Sequence, residues 1–364
     1  MRYRLKSSVQ LIPLKGRVIV RDITDAAYSI DGELSVAFLR QIARHDGVDA
    51  SVLKASERQL LDSLEKVGVV QIADAEAGAV PEHLDRVRSH YSRFGPRQSL
   101  GDVAVKRLQR AHVLCVGVGG LGSWTAQHLA LSGVGRLTVL DGDRVERSNL
   151  GRIWIYGAES VGLAKVDVTA EEIGKRSATE VYTQNAYIES YDDALRAVSS
   201  DDFDLVVLTA DKPAWLIAGW FARACAVRAT PLLRGNSTFL GPMFVPGETA
   251  CPQCAWPSVG NSLAGARDVV SLYRDSLQQG QNSGVLSSHI ATSASLLATE
   301  ALNFLAVPSS SRLRNAVLRT GIFHPQPYLR IDRLDRDTDC LACSNLNAAS
   351  VDPIASSEGR ESTL

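Results

Sequence analysis

The chain of 364 residues lacks any apolar run long enough to span a bilayer. Its longest, Leu296 to Val307, is interrupted by Glu300 and Asn303. No secretory core follows the N-terminus, where Met1-Arg2-Tyr3-Arg4-Leu5-Lys6 leads straight into an alternating strand pattern. Net charge is nearly missing too: 39 Lys and Arg face 40 Asp and Glu, leaving −1, so no global field recruits nucleic acid or an anionic membrane. There is no disulfide framework, because four of the six cysteines sit in two Cys-x-x-Cys pairs, which in an unexported chain read as metal ligands. What remains is ordinary: 45% hydrophobic and 22% charged residues, enough chain for two or three domains with a sizeable core. The expectation is a cytoplasmic enzyme with neither nucleic acid nor membrane as partner.

Residues 1–75 read as a separate module. Val9 to Leu14 and Arg17 to Val20 alternate like strands around the Lys15-Gly16 turn. Leu34, Phe38 and Ile42 share one helical face, and Leu60, Leu61, Leu64 and Val67 share another. Gly68 stops the second helix before a short strand at Val69 to Ile72. Hairpin, two helices and strand make a winged-helix-like unit. That order resembles the PqqD-like domains that recognise precursor peptides by adding a strand to a sheet edge; a winged helix for dimerisation or nucleic acid is the alternative. Residues 76–110 form a linker with a basic run, Arg86, Arg88, His90, Arg93 and Arg97, and a first helix. From residue 111 apolar strands alternate with helical stretches, the pattern of a Rossmann-like α/β domain with a mostly parallel sheet and crossover helices. Strands are expected at 111–116, 137–141, 180–185, 204–209 and 230–234, with a helix at 288–306. Residues 257–287 read as a mobile crossover loop, and 344–364 as a disordered tail.

The strand Val113-Leu114-Cys115-Val116 leads into Gly117-Val118-Gly119-Gly120-Leu121-Gly122 and then a helix. Glycines admit phosphate oxygens close to the backbone, and the helix N-terminus offers free N–H groups to an anion. With Asp141 ending the next strand, a ribose-binding acid is in place, and an NAD-dependent dehydrogenase would fit this much. The next residues tilt the balance. Asp141 to Arg152 (Asp-Gly-Asp-Arg-Val-Glu-Arg-Ser-Asn-Leu-Gly-Arg) puts Asn149 and Arg152 just past that acid, and Lys165 starts the following helix. A nicotinamide dinucleotide has no need of such cations, whereas a triphosphate that must lose pyrophosphate does. Asp211, closing Thr209-Ala210-Asp211 at a strand end, suits Mg2+.

Gly-x-Gly-Gly-Leu-Gly, Asp-x-Asp, Ser-Asn-Leu-x-Arg, Gly-x-x-Lys and the strand-end Asp together resemble the ThiF/MoeB/HesA adenylation family, relatives of the ubiquitin-activating enzymes. The resemblance covers about residues 86–343. It implies that Gly117, Gly119, Gly120 and Gly122 cradle ATP, that Asp141 and Asp143 serve the nucleotide, and that Asn149, Arg152 and Lys165 hold the triphosphate. Asp211 would hold Mg2+. Tyr91-Ser92-Arg93 matches the arginine that the family inserts into its partner subunit's ATP site, implying a homodimer. Where the family has Gln after the motif Arg, this chain has Ile153.

Cys251-Pro252-Gln253-Cys254 and Cys340-Leu341-Ala342-Cys343 supply four thiolates, enough for a closed, structural Zn2+ site. Cys115 and Cys225 read as core residues, so no cysteine is expected to take up the activated acyl group as a thioester. The N-terminal module, Thr209 to Pro213 and Gly241 to Gly247 most resemble the microcin C-type peptide-adenylating subfamily, which joins AMP to the C-terminal residue of a ribosomal peptide. In that likeness the peptide lies between the module and the ATP pocket, under the 257–287 loop. Two other functions compete: a ThiF-like scaffold presenting a leader peptide to a cyclodehydratase, and an activator of a ubiquitin-like sulfur carrier.

Overall fold

A computed structural model describes residues 1–22, 26–44, 47–73, 80–213, 216–254, 286–321, 328–338, 340 and 342–344. The 257–287 loop, apart from its last two residues, and the tail beyond Ser344 lie outside these. The chain divides into two compact units, Met1–Arg107 and Leu108–Leu364.

The first unit holds β1 (Arg2–Leu5), β2 (Gln10–Leu14), β3 (Arg17–Arg21), β4 (Ala27–Asp31), α1 (Glu33–Ile42), β5 (Val48–Asp49), α2 (Ala55–Lys66), β6 (Val70–Ile72) and α3 (Asp85–Tyr91). The expected hairpin is present: β2 pairs with β3 across a turn at Gly16, whose φ of 77° suits glycine. It is the first part of a three-stranded sheet β2-β3-β4, and a second sheet runs β5-β1-β6. Strands β1, β4 and β5 were not expected. Each is short and half polar, so their alternation is too brief to stand out in sequence. Phe38, Ile42, Leu61 and Leu64 close the core with Val18, Val20 and Val70, while Val67 is 40% exposed at the end of α2. The described part of the linker, residues 80–110, holds α3 and then α4 (Ser99–Arg110).

The second unit is built on β7 (His112–Val116), α5 (Gly120–Leu131), β8 (Arg136–Leu140), α6 (Lys165–Gly174), β9 (Glu180–Gln184), α7 (Tyr191–Val198), β10 (Leu205–Leu208), α8 (Leu216–Arg228), β11 (Leu232–Gly235), β12 (Phe239–Phe244), α9 (Ser287–Ala306), β13 (Ala316–Thr320) and β14 (Leu329–Arg333). One sheet runs β14-β13-β12-β11-β10-β7-β8-β9. From β11 to β9 the pairing is parallel, as expected, and β12, β13 and β14 extend the sheet antiparallel. Strands β7 and β10 are buried throughout, the signature of parallel strands covered on both faces. The chain goes from β7 through α5 to β8 on one side, and returns through α7 to β10 on the other. The strand order therefore reverses between β7 and β10, where α/β sheets open a crevice at their C-terminal ends.

Helix α9 packs along α5. Glu300, the acid that broke its apolar run, is only 5% exposed. Its carboxylate accepts hydrogen bonds from Ser311 Oγ (2.5 Å), Arg312 N (3.1 Å) and Leu313 N (2.9 Å), tying α9 to the turn before β13. No helix among the described residues is long and apolar enough to cross a membrane. Glu300→Ala strands the buried Leu313 amide and the half-buried Arg312 amide and should cost on the order of 2 kcal/mol, read as a lower urea midpoint of the second unit.

Candidate active site

The β7–α5 turn forms because two of its glycines have no side chain. Gly117 has φ 86°, and a Cβ there would lie 2.7 Å from Ala210 N. A Cβ on Gly122 would lie 1.8 Å from Gly117 O and 2.5 Å from Thr209 Oγ1. That Thr209 hydroxyl donates to Gly117 O at 2.8 Å, so the ends of β7 and β10 are fastened together. By contrast, a Cβ on Gly119, the cap residue of α5, would meet nothing within 4 Å, leaving room above the helix N-terminus for an anion.

Asp141, at the end of β8, orders the turn from the side. Its carboxylate accepts from Val118 N (2.8 Å) and Asp143 N (2.9 Å), and a carboxylate so held keeps lone pairs for sugar hydroxyls. Lys165 opens α6, is 8% exposed and pairs with Asp143 at 2.7 Å. Partial burial pushes the Asp143 carboxyl up, but Lys165, the Tyr187 hydroxyl and Lys212 outweigh it and hold Asp143 below its usual range. Asn149 is buried and accepts from Glu146 N (3.1 Å), so it shapes the short 3-10 turn leading to Arg152. Arg152 Nε is buried with no hydrogen-bond partner among the described residues, the condition of a donor placed for a ligand. Ile153 is 1% exposed among Val145, Ile155, Tyr156 and Val168: the position taken by Gln in the family is here part of a small apolar core. Asp211 lies three residues beyond the end of β10 and is exposed. Arg93 belongs to the first unit, where its Nε donates to His90 O at 3.1 Å and its guanidinium also meets His90 Nδ1.

The four paired cysteines converge as expected. All are buried, and their Sγ atoms lie within 4.8 Å of one another. The closest are separated by 3.6–3.7 Å, too far for a disulfide. A tetrahedron with metal–sulfur bonds of about 2.3 Å has edges of about 3.8 Å, so the set can hold a closed-shell metal ion. Cys115 and Cys225 are buried elsewhere; burial pushes the Cys115 thiol up to about 12 and raises Cys225 as well, so neither is an activated nucleophile.

The model of the ThiF family matches residues 91–342. The chain belongs to the ThiF family. Two curated relatives are the adenylyltransferase and sulfurtransferase uba4 of Pyricularia oryzae (26% identical over 320 residues, 77% of this chain and 63% of that protein) and MOCS3 of Culex quinquefasciatus (28% over 263 residues, 71% and 55%). The chain thus spans about 55% to 63% of the length of these relatives. Among solved structures, E. coli MccB with ATP superposes with a TM-score of 0.76 over 94% of this chain and 100% of that one, at 19% identity. PaaA gives a TM-score of 0.66 over 90% and 99%, at 18% identity. At these identities the likeness is one of fold.

In this ThiF-family chain the fold brings Asp141, Asp143 and Lys165 together beside the glycine turn, and with them three side chains that no sequence motif marks. Tyr187 donates to Asp143 Oδ1 (3.2 Å). Arg234 is buried beside Asp211. Tyr156, 4% exposed, donates to Val118 O at 2.8 Å and so holds the middle of the glycine turn. None belongs to a spaced motif; each reaches the site only through the fold. Tyr156→Phe leaves the Val118 carbonyl unsatisfied and should cost about 1 kcal/mol, seen as a lower denaturant midpoint at unchanged m.

Proposed function

We propose that this chain uses ATP to adenylate the C-terminal residue of a short ribosomally made peptide, as in microcin C-type antibiotic biosynthesis. The observation that carries this reading is the glycine turn held by Asp141 with the Lys165–Asp143 pair on the same side of the sheet, and a buried Arg152 Nε without a partner among the described residues adds support. Such a set suits a triphosphate better than a neutral cofactor, because several cations stand ready for phosphate charge. The ribose would take Asp141, and Asn149 would keep Arg152 in position. Asp211 would hold Mg2+, whose positive charge would offset the negative charge on the phosphates.

A carboxylate needs no general base at neutral pH. One of its oxygens attacks the α-phosphorus, the bond to the β-phosphate oxygen breaks, and pyrophosphate leaves with that electron pair. Arg152 and Lys165 would stabilise the charge that collects on the leaving group, with Arg93 added from the second protomer of a homodimer.

For the peptide, support comes from the first unit and from the neighbour with the same fold, solved both with ATP and with its MccA peptide. We assign precursor recognition to residues 1–75, where β2 is an edge strand in the order β2-β3-β4 and can accept an added strand. Next to it, Gln10, Arg21, Arg86 and Arg93 are among the residues lining a basin of about 780 Å3. The curated relatives support a second reading, activation of a sulfur-carrier protein, since both are named adenylyltransferase and sulfurtransferase.

ATP–pyrophosphate exchange separates the two. Exchange driven by short peptides supports the first, and exchange driven only by a small protein ending in Gly-Gly supports the second. Asp211→Ala and Arg152→Ala should each lower exchange by at least about a hundredfold without weakening binding of the peptide to the first unit. We further assign the four-cysteine cluster to zinc, so metal analysis should find about one Zn per folded chain; a folded, zinc-free preparation of unchanged stability would overturn that assignment.

A further inference from the structure

The basin beside β2 carries a charge pattern that, Arg93 apart, the adenylation chemistry does not use. Its lining comes wholly from the first unit, where Arg21, Arg86, Arg88 and Arg93 stand against two carboxylates, Asp22 and Asp85. These arginines differ in what they already hold. Arg88 pairs with Asp85 at 3.1 Å and with the buried Asp102 at 3.8 Å. Arg93 is engaged by the His90 carbonyl and by His90 Nδ1. Arg86 is exposed and meets no hydrogen-bond or ion-pair partner among the described residues. Burial and the neighbouring Arg93 lower the His90 pKa, so that ring is neutral near pH 7 and accepts from Arg93. A surplus of positive charge therefore lines a cavity of about 780 Å3, a size that suits a bound ligand, and it favours an anion.

The walls of the basin are tied together. Lys6 Nζ donates to Arg93 O and Ser7 Oγ to Ser89 O, both at 3.4 Å, which fastens the β1–β2 connection to α3 and the turn after it. The sheet wall has a pattern of its own. Leu11 packs on the core with Val18 and Val20, so alternation puts Gln10, Ile12 and Leu14 on the opposite face of β2. Ile12 and Leu14 are exposed there. In register, Ile12 lies opposite Ile19 of β3, and Gln10 opposite Arg21. This outer face thus runs from an apolar end at Leu14 and Ile12 to the basin at Gln10 and Arg21.

Because β2 is an edge strand, a peptide added to it would follow the same alternation. Every second side chain would then lie on the outer face, about 7 Å from the next. The one beside Gln10 would stand at the basin, and those two and four residues away would lie against Ile12 and Leu14. A nucleic-acid backbone suits this surface less well: Asp22 and Asp85 repel a row of phosphates, and Ile12 and Leu14 give it no apolar contact to make. A single carboxylate between the two aspartates meets no such barrier. We propose, resting on the peptide-recognition reading, that the basin is an acid subsite. It binds the Asp or Glu side chain of a peptide lying along β2, with Arg86 as the pairing cation, and that peptide carries apolar residues two and four positions from the acid.

A phage library of random heptapeptides, selected on the full wild-type chain, should enrich sequences with Asp or Glu two residues from Val, Ile, Leu or Phe. With the best of these as a synthetic peptide, calorimetry should find binding about fivefold weaker when the acid is replaced by its amide, the worth of one solvent-accessible ion pair. Arg86→Gln should bind the acid and amide peptides alike, and Arg86→Lys should keep part of the difference, with the thermal midpoint unchanged in both. Selected peptides without acidic enrichment would overturn the subsite and leave peptide recognition standing; this needs no variant to fold. An undiminished preference for the acid in Arg86→Gln would overturn it as well. So would tighter binding of a single-stranded RNA dodecamer than of any selected peptide, which would give the basin to phosphate. Enrichment of no peptide at all would remove the recognition reading underneath.

Discussion

The approach of Gly122 to the Gly117 carbonyl fixes everything around it. With a Cβ at Gly122 only 1.8 Å from that oxygen, α5 could not start where it does. It would also collide with Thr209 Oγ1, whose hydroxyl ties the β7–α5 turn to the end of β10 where strand order reverses. The crevice therefore exists because of missing side chains. Asp141 and Tyr156 then hold the turn from two directions, one accepting from Val118 N and the other donating to Val118 O. Both backbone polar groups of Val118 are thereby satisfied, which keeps the turn fixed before any ligand arrives.

Electrostatics around Lys165 show how such a site is stable when empty and still receptive. An ammonium has three protons to donate, and Asp143 uses one of them. The pair keeps a nearly buried cation compensated, so the fold does not carry an isolated charge. A phosphate oxygen can take another proton without breaking the pair. Asp143 in turn is steadied by Tyr187, which limits how far the pair can swing.

The legible part of the sequence was the part with strong local pattern. Val113 to Val116 and Leu205 to Leu208 read as buried strands because parallel strands covered on both faces are apolar throughout. The glycine turn, the strand-end acids and the cysteine pairs could be read from spacing, which survives without knowledge of the fold. Strands β12, β13 and β14 could not, because an antiparallel extension of a parallel sheet has no repeat of its own. The same holds for β1 and β5, which are short and hydrogen-bonded to distant partners: β1 pairs on one side with β5 and on the other with β6. Arg234 and Tyr156 were invisible for a related reason. Their roles depend on which strand or turn lies beside them, and that is decided by sheet order.

Ile153 shows how a departure from a family pattern can be read physically. In sequence it is a lost polar side chain next to the nucleotide. In the fold it is buried with Val145, Ile155, Tyr156 and Val168, packed beneath the loop that carries Arg152. An amide in that setting would need its own hydrogen-bond partners, and an isoleucine needs none. The isoleucine gives a firm apolar base beside Arg152, whose Nε is buried without a partner among the described residues. The substitution therefore belongs with the same packing that holds Arg152 in place.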